Sequence, residues 1–345
     1  MPEDSIEHID FDDLNKRAIS QPLVSHIYTA DPSAHVFNGK IYIYPSHDID
    51  AGVPFDDLGS HFAMEDYRVL SMDSPDGDAT EHGIALHVDE VPWAKRQMWA
   101  PDAAEKDGKY YLFFPAKGHD DIFRIGVAVS DSPTGPFKPE AEAIKGSFSI
   151  DPAVFKNDDG KYYMYFGGIW GGQLQRWRDG KFKREGEGPL VHLPEDNEPA
   201  LCPKVAQLTD DLLQFAETPK DLLITDDEGR PLLQGDNDRR FFEASWMHKY
   251  KGKYYFSYST GDTHFICYAV ADNPYGPFTY RGKILEPVVG WTSHHSIVEF
   301  EGKWYLFYHD SSLSKGVTHL RSVKVTELKH NDDGTIETIR PYREK

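Results

Sequence analysis

Residues 102–116 read DAAEKDGKYYLFFPA: an acidic residue and a short apolar run, then a Gly-Lys turn, then a strand rich in aromatic residues. The residues that follow the Gly-Lys pair alternate with a period of two, as in strands whose two faces are both packed. A Gly-Lys pair preceded by Asn, Asp or Glu is typical of tight hairpin turns. The stretch therefore predicts a β-hairpin that opens on an ionisable residue.

The same pattern occurs five times along the chain, and a further strand is predicted after most of the hairpins. Two of these further strands run into nearly the same closing sequence, DSPTGPF at 131–137 and DNPYGPF at 272–278. Self-similarity of this kind indicates an array of equivalent supersecondary units. The residues that open the five units are Asp31, Asp102, Asp151, Glu243 and His294.

The spacing of the units indicates a propeller. Two of the four intervals match the roughly 40–50 residues of a four-stranded blade, and the two longer ones hold inserts. In the second insert, residues 210–223 (DDLLQFAETPKDLL) are predicted to form a helix. Closing five blades into a ring removes the exposed sheet edges of an open array. We therefore predict an all-β, single-domain, five-bladed β-propeller over residues 21–345, with an N-terminal extension over 1–20.

Composition narrows the functional class. The chain has 345 residues, and its 39% hydrophobic content is enough for a large core. Its formal charge of −20 repels phosphate backbones and anionic membranes, so neither nucleic acid nor membrane is expected as a partner. Cys202 and Cys267 are too few for a disulfide scaffold. Because no signal sequence or apolar span is visible, a cytoplasmic location is expected unless a leader has been removed.

The five opening residues are expected to lie close together. In a closed ring the first strand of every blade lines the central channel, so equivalent positions point toward the axis. Carboxylates gathered in this way repel one another and lose hydration. If these positions only supported the fold, apolar or amide side chains would be expected there instead. An isolated Asp-Pro step is more often a turn initiator, but the complete set predicts a functional cluster.

Five short segments resemble, in the same order, the signature segments of glycoside hydrolase family 43, and the resemblance spans about residues 22–330. It implies a five-bladed propeller that cleaves xylo- and arabino-configured sugars with inversion. The segments are Asp31-Pro32, Trp99-Ala100-Pro101-Asp102, Ser149-Ile150-Asp151-Pro152, Phe242-Glu243-Ala244 and Ser293-His294-His295-Ser296.

The resemblance also implies roles for three carboxyl groups. Asp31 would be the general base that activates water, Glu243 the general acid, and Asp151 the residue that tunes the pKa of the acid and orients it. Inverting hydrolysis requires acid and base roughly 6.5–9.5 Å apart, which is about the width expected across a five-bladed channel. A neighbouring negative charge and aromatic walls would raise the pKa of Glu243 and keep it protonated near neutral pH.

Substrate contacts are implied in the same way. Trp99 would form a wall and Asp102 the rim of the site, and Arg321 would reach the catalytic Asp or a sugar hydroxyl, with a surface salt bridge as the alternative. Further aromatic candidates for stacking on a sugar are Trp170, Trp246 and Trp291. His294 would contact substrate or a hydrated calcium ion. The pattern lacks the oxygen ligands of a dedicated calcium site, so no cofactor is required and calcium stays an open alternative.

The function predicted from these observations is an inverting, exo-acting β-xylosidase with α-L-arabinofuranosidase side activity on xylan-derived oligosaccharides. The alternatives are an endo-arabinanase, a retaining fructan hydrolase, or a non-catalytic carbohydrate-binding propeller. Residues 28–32 (YTADP) depart from the W-x-N-D-P-like segment of the fructan enzymes. Because no C-terminal β-sandwich is expected, an exo pocket must be closed by the insert after Asp48 or by a neighbouring subunit, and the oligomeric state is left open.

Overall fold

The protein is a five-bladed β-propeller, as predicted. The structure is a computed structural model that describes residues 8–291 and 293–345. One short helix, α1 (Phe11–Arg17), precedes the blades and is capped by Asp10, whose carboxylate accepts hydrogen bonds from two backbone N–H groups. Within the described ranges, no helix is long and apolar enough to cross a membrane.

Each of the first two blades begins with a hairpin of the repeated type. Blade 1 contains β1 (Tyr28–Phe37), β2 (Lys40–Asp48), β3 (Asp66–Met72) and β4 (Thr80–His87). Blade 2 contains β5 (Ala94–Arg96), β6 (Asp102–Lys106), β7 (Lys109–Gly118), β8 (Phe123–Ser130) and β9 (Lys138–Pro139), with β5 and β6 both paired to β7.

The other three blades follow in chain order. Blade 3 contains β10 (Ala153–Lys156), β11 (Tyr162–Phe166), β12 (Lys204–Gln207) and β13 (Lys220–Asp221). Blade 4 contains β14 (Ile224–Thr225), β15 (Glu243–Tyr250), β16 (Lys253–Ser259), β17 (Ile266–Ala271) and β18 (Phe278–Leu285). Blade 5 contains β19 (His295–Phe300), β20 (Lys303–Asp310) and β21 (Ser322–Leu328). Short 3-10 helices span Val88–Glu90, Trp170–Gly172, Leu174–Trp177 and Gly261–Thr263.

The repeated Gly-Lys sequence forms the tight turn that the pattern predicted. Between β1 and β2, Asn38 and Gly39 both have positive φ angles, 52° and 76°. Two consecutive residues with positive φ form the turn whose twist matches that of paired strands. The same pair of angles occurs at residues 107–108, 251–252 and 301–302.

The innermost strands β1, β6, β10, β15 and β19 contact one another in sequence around the axis. Blade 5 has three strands of its own, and the segment from Leu23 to the start of β1 lies along its outer strand. Leu23 N–H donates to the Val323 carbonyl at 2.8 Å, and Thr29 N–H donates to the Arg321 carbonyl at 2.9 Å. The start of the chain therefore closes the ring against its last blade.

The prediction of a helix at 210–223 is wrong. Residues 209–214 form a turn in which Leu212 has a φ of 61°, and β13 follows and extends blade 3. The Thr209 hydroxyl accepts a hydrogen bond from Gln214 N–H, and the Asp211 carboxylate accepts one from Leu213 N–H. Side chains of this type compete with helix hydrogen bonds for the backbone donors. Local polar groups therefore outweigh the apolar spacing that suggested a helix.

Candidate active site

One cavity, where the innermost strands begin, is lined by side chains from all five blades. Its charged lining comes from Asp31 in blade 1, Asp57 in the insert between β2 and β3, Asp151 before blade 3, Glu243 in blade 4 and Arg321 before the last strand of blade 5. The closed ring therefore brings together carboxyl groups that are far apart in the sequence. Its full lining is Asp31, Asp57, Leu58, Gly59, Phe62, Met64, Trp99, Ala100, Ile150, Asp151, Ile169, Trp170, Gly171, Gly172, Phe242, Glu243, Trp291, His294 and Arg321.

Irregular backbone directs the carboxyl groups into this cavity. The register of β1 against β2 breaks between Ala30 and Ser33, and Asp31 has a φ of 49°. The register of β15 against β16 breaks just after Glu243, where Ala244 has a φ of 67°. A bulge turns a side chain away from the regular alternation of a strand, at some cost in backbone energy. Both carboxyl groups therefore leave the sheet and face the channel.

Asp31 is held in its ionised form. Its Oδ1 accepts a hydrogen bond from Arg321 Nη1 at 2.9 Å, and its Oδ2 accepts one from the Ser46 hydroxyl at 2.7 Å. Burial would raise the pKa of Asp31, but the positive charge of Arg321 outweighs it and lowers the pKa to about 2. A carboxylate that stays ionised in a buried site can accept a proton from water.

Arg321 is itself fixed by a second carboxylate. Asp48 Oδ2 accepts from Arg321 Nε at 2.8 Å and from its backbone N–H at 2.9 Å, and Asp48 Oδ1 accepts from Nη2 at 2.8 Å. The Phe62 ring lies 4.8 Å from the guanidinium carbon and covers it. The guanidinium is therefore held in one plane, as a forked donor group allows.

Glu243 is held in its protonated form. It lines the cavity and is only partly exposed. Burial, followed by the negative charge of Asp31, raises the pKa of Glu243 to about 8, although Arg321 opposes the shift. Asp31 and Glu243 thus differ in protonation near neutral pH, because the charge of Arg321 outweighs burial at Asp31 but does not outweigh it at Glu243.

Asp151 supports Glu243 through the backbone. Asp151 Oδ2 accepts a hydrogen bond from Ala244 N–H at 2.8 Å, which fixes the residue next to the acid. Burial, and then the charge of Glu243, raises the pKa of Asp151 well above its ordinary value. The charge of Glu243 thus acts on Asp151, whereas the charge that raises the pKa of Glu243 is that of Asp31.

His294 presents a hydrogen-bond donor to the cavity. Its Nδ1 accepts from His295 N–H at 2.8 Å, so the proton of the neutral ring is on Nε2. Nε2 is buried and has no hydrogen-bond partner among the described residues, and Asp151 Oδ2 lies 3.9 Å away. Burial lowers the pKa of His294 and keeps the ring neutral. Such a ring can donate to a substrate oxygen.

The contact predicted between His294 and a hydrated calcium ion stays a prediction. Within the part of the chain that the structure describes, no group of three or more His, Cys, Asp or Glu residues could hold a metal ion. The protonated Nε2 of His294 has no lone pair to offer a metal directly.

Aromatic side chains form the walls of the cavity. Trp99 lines it and donates its Nε1–H to the Phe62 carbonyl at 2.8 Å, which fixes the plane of the indole. Trp170 and Trp291 also line it, with ring centroids 5.6 Å apart. Trp246, the other aromatic candidate, lies in the hydrophobic core and donates to the Ile297 carbonyl. Three of the four tryptophans considered from the sequence therefore face the site.

The structure does not bring Asp102 into the cavity. Asp102 is 0% exposed, and its Oδ1 lies 2.6 Å from His35 Nε2. Its Oδ2 accepts a hydrogen bond from Val154 N–H at 2.6 Å, so the carboxylate joins blades 1, 2 and 3. The position is equivalent to Asp31 in the repeat, but the side chain connects neighbouring blades.

The insert after Asp48 supplies one end of the cavity. Leu58, Phe62 and Met64 line it, and the Leu58 carbonyl lies 2.2 Å from the position that a Cβ would take on Gly171. Blade 1 and blade 3 therefore meet at a contact that admits only glycine. The insert that was predicted to close an exo pocket therefore lines the cavity.

Several site residues were missed from the sequence. Ser46 could have been found from hairpin register, because the turn at 38–39 by itself places it opposite Asp31. The bulge in β1 then shifts the pairing, so that Ser46 lies opposite Ala30 and Asp48 opposite Tyr28. Phe62 and Leu58 carry no comparable signal, since they lie in an irregular insert. Their positions depend on packing against distant blades.

A five-bladed propeller that gathers an ionised and a protonated carboxyl group in one aromatic-walled cavity defines a glycoside hydrolase of the acid–base type. The profile of the family described as glycosyl hydrolases family 43 matches residues 80–336, and the chain belongs to this family.

The chain resembles characterised proteins over nearly its whole length. It is 62% identical over 325 residues to a protein of Humicola insolens named xylosidase/arabinosidase 43A, covering 93% of this chain and 99% of that protein. It is 59% identical over 318 residues to a Bacteroides ovatus protein named xylosidase/arabinosidase, covering 92% and 96%.

Two solved structures are similarly close. One is a β-xylosidase/α-arabinofuranosidase from a compost microbial metagenome, in complex with xylotriose and in a calcium-free form. It has a TM-score of 0.92 and 70% identity, covering 94% of this chain and 98% of that one. The other is a family 43 enzyme from Xanthomonas citri complexed with xylotriose. It has a TM-score of 0.91 and 56% identity, covering 97% of each chain.

Proposed function

We propose that the protein is an inverting, exo-acting β-xylosidase that also removes α-L-arabinofuranosyl groups from short xylan-derived oligosaccharides. The observation that carries this proposal is a single cavity lined by two carboxyl groups in different surroundings. Asp31 is hydrogen-bonded to Arg321 at 2.9 Å, and the pKa of Glu243 is raised to about 8 by burial and by the charge of Asp31. Inverting hydrolysis needs this combination, because one carboxyl group takes a proton while the other gives one.

In the proposed mechanism, Asp31 accepts a proton from a water molecule as the water oxygen bonds to the anomeric carbon. Glu243 donates its proton to the glycosidic oxygen as the bond from that oxygen to the anomeric carbon breaks. Attack and departure occur on opposite faces of the sugar, so the configuration inverts. Arg321 keeps Asp31 ionised and oriented, and Asp151 holds the backbone beside Glu243.

Exo action is supported by the contact between Leu58 and Gly171, which closes the cavity between blades 1 and 3. An endo-enzyme needs a groove that continues past the cleavage site on both sides. Trp99, Trp170 and Trp291 suit the C–H faces of a single sugar ring. The names of the close relatives, xylosidase/arabinosidase, support the same substrate class.

The test is a proton NMR time course of xylobiose hydrolysis, with an arabinofuranosyl-substituted xylo-oligosaccharide as second substrate. We expect α-xylose as the first product of xylobiose, before mutarotation. If β-xylose is formed first, the enzyme is retaining and Asp31 is not a base. If neither substrate is cleaved, the β-xylosidase proposal is wrong, and arabinan oligosaccharides become the next substrates to test.

A further inference from the structure

A second cleft lies beside the catalytic cavity and is lined by groups that the reaction does not use. Leu58, Trp170 and Gly171 line both spaces, so the two share a wall. On the far side of this wall the lining includes Lys117, Asp121, Arg176, Phe182 and Arg184. A protein with a net charge of −20 thus places three cationic side chains at one cleft next to its active site.

These cations have no carboxylate partner within the described residues. No Asp or Glu oxygen of that part lies within 4.0 Å of the Lys117 ammonium or of the Arg176 and Arg184 guanidinium groups. Asp121, the acidic residue of the lining, is paired with Arg96 at 2.8 Å. The cleft therefore carries an excess of positive charge.

Both arginines are held in place by neutral groups. Their guanidinium carbons lie 6.0 Å (Arg176) and 5.6 Å (Arg184) from the centre of the Phe182 ring. Arg184 donates from Nη1 and Nη2 to the Asp120 carbonyl, both at 3.1 Å, and Arg176 Nη1 donates to the Lys183 carbonyl at 2.9 Å. Carbonyl oxygens satisfy donors without cancelling the charge, so the two groups are ordered before any ligand binds.

Lys117 is the most buried of the three, at 7% exposed. Its ammonium lies 5.1 Å from the Phe123 ring and has no hydrogen-bond partner in residues 8–291 and 293–345. Burial, and then the charge of Arg96, lowers the pKa of Lys117 to about 8. The ammonium itself stays open to the cleft, where an anionic ligand would pair with it.

We propose that this cleft binds the carboxylate of an acidic sugar carried by the substrate outside the catalytic cavity. The proposal rests on the proposed function, because an exo pocket holds one terminal xylose and leaves the rest of the oligosaccharide near the rim. The Trp170 and Phe182 rings suit the C–H face of a sugar, and the cations suit its carboxylate. The ligand class is thus a uronic acid side group on the sugar that follows the cleaved bond.

The test compares three substrates of the wild-type enzyme: xylotriose, xylotriose with α-glucuronic acid on its middle xylose, and xylotriose with neutral α-glucose at the same place. We expect kcat/KM for the glucuronic acid form to exceed that for the glucose form by about tenfold, as one charge-assisted contact provides. Lys117→Gln and Arg184→Gln should each bring this ratio close to one, while kcat/KM for plain xylotriose stays unchanged.

Lys329→Gln is the matched control, because it removes an exposed lysine elsewhere and should keep the wild-type ratio. A wild-type ratio of one, or a ratio unaffected by Lys117→Gln and Arg184→Gln, would overturn the proposal. If plain xylotriose is not cleaved at all, the proposed function fails instead.

Calorimetric titration tests binding without turnover. Methyl α-glucuronide should bind the wild-type enzyme and methyl α-glucoside should not, and Lys117→Gln should abolish the difference. If inorganic phosphate binds as tightly as methyl α-glucuronide, the cleft is a general anion site and the assignment to a sugar acid is wrong.

Discussion

Asp48 accepts three hydrogen bonds from Arg321, and the same guanidinium donates to Asp31. One arginine therefore joins a carboxylate at the end of β2 to the candidate base in β1. Since Asp48 does not line the cavity, it acts on the reaction only through Arg321. Asp48 is therefore a positioning residue, and its removal should lower kcat as well as the stability of the fold.

Asp48→Asn should lower kcat by about tenfold or more and leave KM for xylobiose nearly unchanged. The amide keeps one acceptor oxygen and turns an N–H group toward the guanidinium, so Arg321 loses its fixed plane. The free energy of unfolding should fall by about 1–3 kcal/mol. Steady-state kinetics and urea unfolding measure the two effects.

The control for this change is Asp66→Asn, which alters another largely buried carboxylate of blade 1, one paired with His47 away from the cavity. It should reduce stability and preserve kcat. Equal losses of kcat in both variants would show that Asp48 acts only through stability.

Glu243→Ala should abolish hydrolysis of xylobiose and spare aryl xylosides that have good leaving groups. A sugar leaving group needs a proton from the acid, whereas an activated phenol leaves with little protonation. The kcat/KM of both substrates is measured against wild type. Equal losses on the two substrates would argue against Glu243 as the acid.

Asp31→Ala should lose activity on both kinds of substrate, by about 10²–10⁴-fold. Water activation is needed whatever the leaving group is, so a good leaving group cannot compensate. Hydrolysis of an aryl xyloside near the wild-type rate would remove Asp31 from the role of base.

The pH dependence of kcat/KM should have a basic limb near pH 8. Glu243 acts in its protonated form, and its pKa is raised to about 8, so activity falls as pH rises through that value. The lowered pKa of Asp31, about 2, predicts that this base stays ionised throughout the working range. Stability from Asp31 is present above its unfolded pKa of roughly 3.9 and is lost as pH falls from there toward 2.

Asp151→Asn should move the basic limb to lower pH. The charge of Glu243 raises the pKa of Asp151, so the two groups interact, and removing one ionisable member of an interacting pair lowers the upper apparent pKa. A pH profile of kcat/KM checks this. An unchanged limb would mean that Asp151 orients the acid without tuning its pKa.

Gly171→Ala should raise KM for xylobiose about fivefold, with a smaller change in kcat. The new Cβ would lie 2.2 Å from the Leu58 carbonyl, so the insert that closes the cavity must shift. Gly77→Ala is the control, since its Cβ would meet only the nearby Ser74 at 3.2 Å or more. A KM unchanged by Gly171→Ala would show that this contact does not shape the sugar site.

The strand periodicity and turn residues were enough to predict five blades, because both signals are local. The turn at Asn38-Gly39 recurs in three other hairpins with the same signs of φ. Ring closure then requires the first residues of the units to converge, and this placed Asp31, Asp151, Glu243 and His294 near one another. The helix predicted at 210–223 failed because Thr209 and Asp211 bind backbone donors that a helix would need.

Only the tertiary structure decided how each converging side chain is used. Asp31 and Asp102 open equivalent units, yet only Asp31 faces the cavity. The Asp102 carboxylate instead forms hydrogen bonds with His35 and with Val154 N–H of the neighbouring blades. Asp48, which holds Arg321, lies 273 residues away from it in the sequence. Leu58 of blade 1 packs against Gly171 of blade 3. The sequence by itself determined the blades and their acidic openings through local periodicity. Protonation, orientation and closure of the site depend on charges and packing between distant segments, which no local pattern encodes.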